Sequence, residues 1–278
     1  MILDTMTLEE LTKEIKTDFK EVNGRWNNYK QKFKRLAHKR TVFPWFWETK
    51  IKTRRFNEWY ISYYAETKKE VDIVRAKFLL MFTYKSQLWA GTVIDDRALI
   101  FPSHFFERYK ERYMKIHKDN PVLSGKDIMM LFFILNDNCC YFTSEKEENI
   151  RGFCNDGIFL GDWIGDEGGI VKTFLSRQEM KINQFVEYFE LLKMWIIGDM
   201  FRARKGIDLT PSLNKYIPDT YFDHEEWNKF LFERGNLRLI RAAEESNDIY
   251  IRNKEEYERC LEMIDAVNLN MYEKIQYK

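Results

Sequence analysis

From Leu8 to Leu36 the apolar residues Leu8, Leu11, Ile15, Phe19, Val22, Trp26, Tyr29, Phe33 and Leu36 recur at intervals of three and four. That spacing lines one face of a helix and predicts helix over 7–39. Thr7 and Glu10 have the spacing of a capping box at its start. Asn23-Gly24 marks a point where it can divide in two. The run Phe43-Pro44-Trp45-Phe46-Trp47 is a break with aromatics expected to be exposed or to dock. A second helical pattern, about 54–72, carries Phe56, Trp59, Tyr60, Tyr63 and Tyr64.

The period then changes. Residues 77–84, 87–94 and 98–101 read as strands, with turns at Lys85-Ser86 and Asp95-Asp96 too tight for parallel crossovers. Ser103 is expected to cap a helix to about His117, and Ser124-Gly125 to open another over about 126–136. Strands follow near 139–143, 151–161 and 169–175, with Asp156-Gly157 and Gly168-Gly169 as hairpin turns. Ser176 and Glu179 predict a capped helix to about Arg204, then a loop over 206–219 and helices near 223–234, 236–246 and 253–275.

The central β-β-β-α-α-β-β-β block sits between helical flanks. This predicts an α+β fold: a small antiparallel sheet packed with helices, with long helical extensions at both termini. The natural divisions are 1–74, 75–204 and 205–278, although no linker separates them and one continuous domain fits as well.

Composition narrows the class. The chain is 45% apolar and 32% charged, an ordinary globular balance, and 278 residues can bury a large core. Net charge is +1, so no global field draws it to nucleic acid or membrane. The four cysteines, including adjacent Cys139-Cys140, match neither a disulfide framework nor a zinc knuckle. Free thiols in a reducing compartment are expected, hence a cytoplasmic location. Met1–Glu14 lacks the features of a signal peptide, and the longest apolar run, 128–135, is too short to span a bilayer. No nucleotide-binding, nucleophile-elbow or zincin motif occurs, and the acids and glycines over 155–169 lack calcium-loop spacing. No cofactor, metal or membrane partner is called for.

Charge is uneven along the chain. From Arg25 to Arg55 eleven cations face one acid, Glu48, whereas the chain from Asp208 to Glu273 leans acidic. Arg25, Lys32, Arg35, Lys39, Arg40, Arg54 and Arg55, interleaved with Trp45 and Trp47, can hold a nucleic-acid backbone while rings stack on bases. The same charges can meet an acidic protein, or form a solvated helix face with the rings in the core. The aromatics of 43–47 can equally serve self-association.

A second constellation lies at 103–114. His104, Arg108 and Arg112 are spaced by four and share one helical face. An imidazole can pass protons near neutral pH, and two guanidiniums can hold a phosphate and stabilise charge developing on it. Glu107 and Glu111 interleave with these cations, so a salt-bridged surface helix is the plainer alternative.

The run from Leu99 through Pro102-Ser103-His104 and Arg108 to Arg112 resembles the opening helix of toxin-type ribonuclease domains. These are the barnase, EndoU, colicin and RelE-like nucleases and their phage and mobile-element relatives. The resemblance covers about residues 76–176. It implies metal-independent cleavage of RNA phosphodiesters, with His104 as acid and base and Arg108 and Arg112 as the phosphate clamp. Thr173, on the late strand Val171–Ser176, would supply a supporting hydroxyl. The chain departs from that pattern in its meander before the His helix, in its long flanks, and in lacking an evidently placed second histidine at His117 or His224. The alternative is a non-catalytic interaction protein using 25–55.

Overall fold

Thr7 opens the first helix as its spacing predicts: its hydroxyl accepts from the Glu10 amide at 3.2 Å, and the Glu10 carboxylate accepts from the Thr7 amide at 2.7 Å. Helix α1 (Leu8–Asn23) ends at Gly24, and α2 (Trp26–Ala37) follows. The expected division at Asn23-Gly24 is therefore present. A computed structural model describes residues 1–74, 76–94, 96–114, 123–136, 140–142, 149–205 and 224–263.

The next two segments are not as the spacing predicts. Trp45–Lys52 is strand β1 rather than a break, and Glu58–Ala65 is strand β2 rather than helix, followed by a short 3-10 turn over Lys68–Asp72. The first 74 residues thus supply two strands as well as helices, and β2 pairs directly with β3, Trp59 opposite Leu80. Strands β3 (Lys77–Tyr84), β4 (Gln87–Ile94) and β5 (Arg97–Phe101) match their alternation.

Helix α3 (Ser103–Arg112) is capped by Pro102, whose carbonyl accepts from the Phe105 amide; Ser103 lies inside the helix, its hydroxyl 3.2 Å from Gln87 Oε1. His117 lies outside the described residues. Helix α4 (Gly125–Leu135) carries a Ser124–Asp127 capping box. Strand β6 (Cys140–Phe142) follows. The stretch read as one strand over 151–161 is a hairpin of β7 (Asn149–Cys154) and β8 (Gly157–Ile164), closed by Asn155-Asp156. Gly168-Gly169 begins β9 (Gly168–Ser176); the turn before it is Gly165-Asp166-Glu167, with Gly165 at positive φ.

Among the described residues the nine strands form one sheet, in the order β1-β2-β3-β4-β5-β9-β8-β7-β6. Two antiparallel meanders meet along a short parallel pairing of β5 with β9, Ala98 opposite Gly168. There the strands approach so closely that a Cβ on Gly168 would lie 2.0 Å from the Ala98 carbonyl oxygen.

Both faces of the sheet are buried. Trp59, Ile61, Tyr63, Leu80, Phe82, Ala98 and Ile100 pack with α1 and α2; Tyr60, Leu79, Leu99, Phe101, Phe159 and Phe174 pack with α3 and α4. Neighbouring strand residues point to opposite faces, so consecutive apolar residues are each buried on their own side. Polar pins lock the second layer: Tyr109 Oη donates to Asp156 Oδ2 at 2.7 Å, and Asn136, capping α4, donates to the same oxygen at 2.9 Å. These residues are buried, and burial raises the Tyr109 pKa well above its usual value.

The chain divides into two compact units, Met1–Ser176 with Arg234–Asn236, and Arg177–Glu233 with Leu237–Lys278. The second holds α5 (Ile182–Lys205), α6 (His224–Arg234), α7 (Leu237–Arg252) and further helical backbone over 254–263. Ser176 is the last residue of β9, opposite Gly157, so it does not cap α5; that helix begins at Ile182, where Gln184 accepts from the Lys181 amide. Helices α5 and α7 pack together, and Phe185, Phe189, Tyr250 and Tyr257 form an aromatic cluster. The predicted loop over 206–219, the end of the last predicted helix, and Cys139 lie outside the described residues. The fold is α+β, with a mostly antiparallel sheet and helices at both ends of the chain.

Candidate functional site

Helix α2 carries four cations and no acid: Lys30, Lys32, Lys34 and Arg35. Its apolar stripe docks on β1 and β2 through Phe33, which stacks on Trp45 (centroids 5.2 Å apart) and on Tyr63 (4.9 Å). Tyr29 contacts Trp47. Trp45 and Trp47, expected to stack on bases, are therefore half-buried members of the α2–β1 interface. A cation lies over each of them: the Arg40 guanidinium 5.2 Å from the Trp45 ring centre, and Lys32 Nζ 5.7 Å from that of Trp47.

The remaining predicted cations divide. Arg25 pairs with Glu21 at 2.5 Å, one helical turn back. Arg55 is held by Glu14, a carboxylate almost fully buried beneath it. Asn57 Nδ2 and the Met1 amine also donate to Glu14, at 3.0 and 2.8 Å. Burial raises the Glu14 pKa, but the hydrogen bonds from Arg55, the amine and Asn57 outweigh it and bring it down to about 2. Arg55 is thus a structural cation. The Arg54 backbone amide donates to Glu21, and among the described residues its side chain, like those of Arg35 and Lys39, forms no ion pair. All three are exposed. Neighbouring Lys34 is taken by Asp72 and Lys50 by Glu58.

The His104 helix is arranged differently. Phe105, Phe106 and Tyr109 bury one side of α3 in the core. His104 is exposed in the first turn. Arg108 turns to Glu111 on its own helix, 3.2 Å away. Arg112 reaches the sheet: its Nη1 donates to the Phe174 carbonyl at 2.5 Å and lies 3.4 Å from Thr173 Oγ1. Arg112 and Thr173 are together, while Arg108 is engaged with its own helix.

Some polar sites were invisible to sequence reasoning. Asp18, on α1, accepts from Trp59 Nε1 at 2.6 Å and Asn57 Nδ2 at 3.1 Å while fully buried. Its place one turn beyond Glu14, on the buried face of the amphipathic α1, is the local signal of that role. Arg177 and Lys181, four residues apart, line a common cleft with the distant Arg252; no motif joins them.

Among the described residues no group of three His, Cys, Asp or Glu side chains gathers to hold a metal, and no helix is long and apolar enough to cross a membrane. No protein-family model matches the chain, and neither curated proteins nor solved structures give a match to it.

Proposed function

We infer that the chain is a non-catalytic binding protein for polyanions, single-stranded RNA foremost, acting through α2 and the turn after it. The observation that carries this is the exposed cation set Lys32 and Arg35, on a helix without acids, with Lys39 and Arg40 just after it, beside two half-buried tryptophans. Phosphates that displace counterions from such a face gain affinity without sequence preference. A base stacking on Trp45 or Trp47 must move Arg40 or Lys32 aside, and a phosphate offers the displaced cation a stronger partner than the ring it leaves. Thiols at Cys154 and Cys260 support a reducing, cytoplasmic setting. The test is anisotropy of a labelled oligouridylate titrated with the protein at increasing salt. Affinity that falls steeply with salt, and is lost in an Arg35→Glu, Lys39→Glu variant, supports the reading. Binding indifferent to both removes it.

The contact between Arg112 and Thr173 favours a second reading, a metal-independent, toxin-type ribonuclease. His104 would then take the 2′-hydroxyl proton as that oxygen attacks phosphorus and return it to the 5′-oxygen as the P–O5′ bond breaks, and Arg108 would leave Glu111 to join Arg112 on the phosphate. Cleavage of RNA by the wild type and none by His104→Ala is the outcome this reading requires.

A further inference from the structure

The second unit contains a cleft of about 650 Å³ that plays no part in either reading above. Its walls are the segment leading into α5, the first turns of that helix, the end of α7, and the residues that follow. That volume is in the range that accepts a small molecule.

The lining is segregated by chemistry. Met180, Ile182, Phe185 and Ile249 supply an apolar surface, with Phe185 fully buried. Arg177, Lys181 and Arg252 supply three cations, Gln178 and Asn253 two amides, and Glu256 the one acid in the lining. Arg177 is the unusual member, because only 3% of it is exposed. A buried guanidinium is costly to desolvate and is retained where its fork is paired. Glu245, 41% exposed at the side chain, is its ion-pair partner, and Tyr188 Oη stands 3.4 Å from Nη1. Those contacts hold the Arg177 side chain in place at the cleft. Lys181 and Arg252 are exposed at its rim, where they can close over a charged head. The Arg252 Nε donates to the Asp248 carbonyl, which holds its stem against α7.

We propose that this cleft is a binding site for a small organic anion, a phosphate or carboxylate head on an apolar body. The head sits among Arg177, Lys181 and Arg252, and the body lies on Met180, Ile182, Phe185 and Ile249. Neither half suffices: the cations discriminate against neutral molecules, and the apolar floor discriminates against inorganic ions.

The experiment is calorimetric titration of the full chain with hexyl phosphate, hexanoate, inorganic phosphate and hexanol. Saturable one-to-one binding of hexyl phosphate, of hexanoate or of both is expected, the stronger of the two identifying the head group, with hexanol and inorganic phosphate much weaker. The rim variant Lys181→Ala, Arg252→Ala alters two exposed side chains and leaves the fold intact. It should weaken binding by about tenfold or more. Arg177→Lys, which keeps the charge but loses the fork, should weaken both anions. The proposal is overturned if neither anion binds at about 1 mM, if hexanol binds as well as they do, or if the rim variant binds like the wild type.

Discussion

Glu14 and Arg55 stand 41 positions apart and meet as carboxylate and fork, with Arg55 Nε 3.0 Å from both carboxylate oxygens. Glu14 belongs to α1 and Arg55 to the β1–β2 turn, so the pair fastens the first helix to the edge of the sheet. It also removes one cation from the basic stretch before any ligand is considered.

Arg55→Ala should cost about 2–4 kcal/mol, because it leaves a buried charge without its main partner. In the wild type the Glu14 carboxylate titrates at about 2, against its ordinary 4.5. The ionised form is favoured in the folded state, so its stabilisation is complete above about pH 4.5 and is lost as the pH falls towards 2. Allowing for the half-exposed Arg55, this amounts to on the order of 2 kcal/mol. Urea midpoints measured from pH 6 down to pH 2 should show that decline in the wild type and a shallower one in Glu14→Gln.

Tyr109→Phe deletes the hydroxyl that donates to Asp156 and leaves the ring in place. Asn136 continues to donate to the same oxygen. The expected loss is about 1–2 kcal/mol by chemical denaturation. Asp156→Ala should cost more, since Tyr109 and Asn136 then both lose an acceptor in a buried site.

Gly168→Ala places a methyl group against the Ala98 carbonyl at the seam between the two meanders. Backbone on both sides leaves nothing flexible to yield. A loss of roughly 2–4 kcal/mol is expected, read as a lower urea midpoint.

Arg35→Ala with Lys39→Ala should leave the urea midpoint within about 0.5 kcal/mol of wild type, because both side chains are exposed. If each meets one phosphate, the slope of log affinity against log salt on single-stranded RNA should fall by about 1.4. An unchanged slope places the interface elsewhere.

His104→Ala should be neutral for stability, its ring being exposed, whereas Arg112→Ala should cost about 1–2 kcal/mol through the lost bond to Phe174. Under the binding proposal neither the wild type nor either variant cleaves RNA. Cleavage that His104→Ala abolishes would move the function to α3.

Some elements were legible because their signals are local. The Thr7–Glu10 box needs only four residues to close and is present, and Ser124 opens α4 as its place before Gly125 suggests. The strands β3 to β5 announced themselves by short tight turns between apolar runs. Strand β2 misled because Trp59, Tyr60, Tyr63 and Tyr64 fall in adjacent pairs four apart, the spacing of one helical face. With helices on both sides of the sheet, each parity of the strand is apolar and the period of two disappears. Ser176 misled for a related reason: its pairing with Gly157 competes with the capping role its spacing allows.

The candidate sites divide in the same way. The cation-rich character of 25–55 is a property of the chain alone, as is the spacing of His104, Arg108 and Arg112. Which cations stay uncommitted depends on acceptors brought from elsewhere: Glu14 to Arg55, Asp72 to Lys34, and the Phe174 carbonyl to Arg112. Taken by itself, the sequence determined the α+β class, most helices and the central meander, because these follow from neighbours within a few residues. Only the tertiary structure decided the β5–β9 seam, the half-burial of Trp45 and Trp47 against α2, and the meeting of Arg252 with Arg177 and Lys181. Those rest on contacts between residues distant in the chain, and such contacts leave no periodic trace.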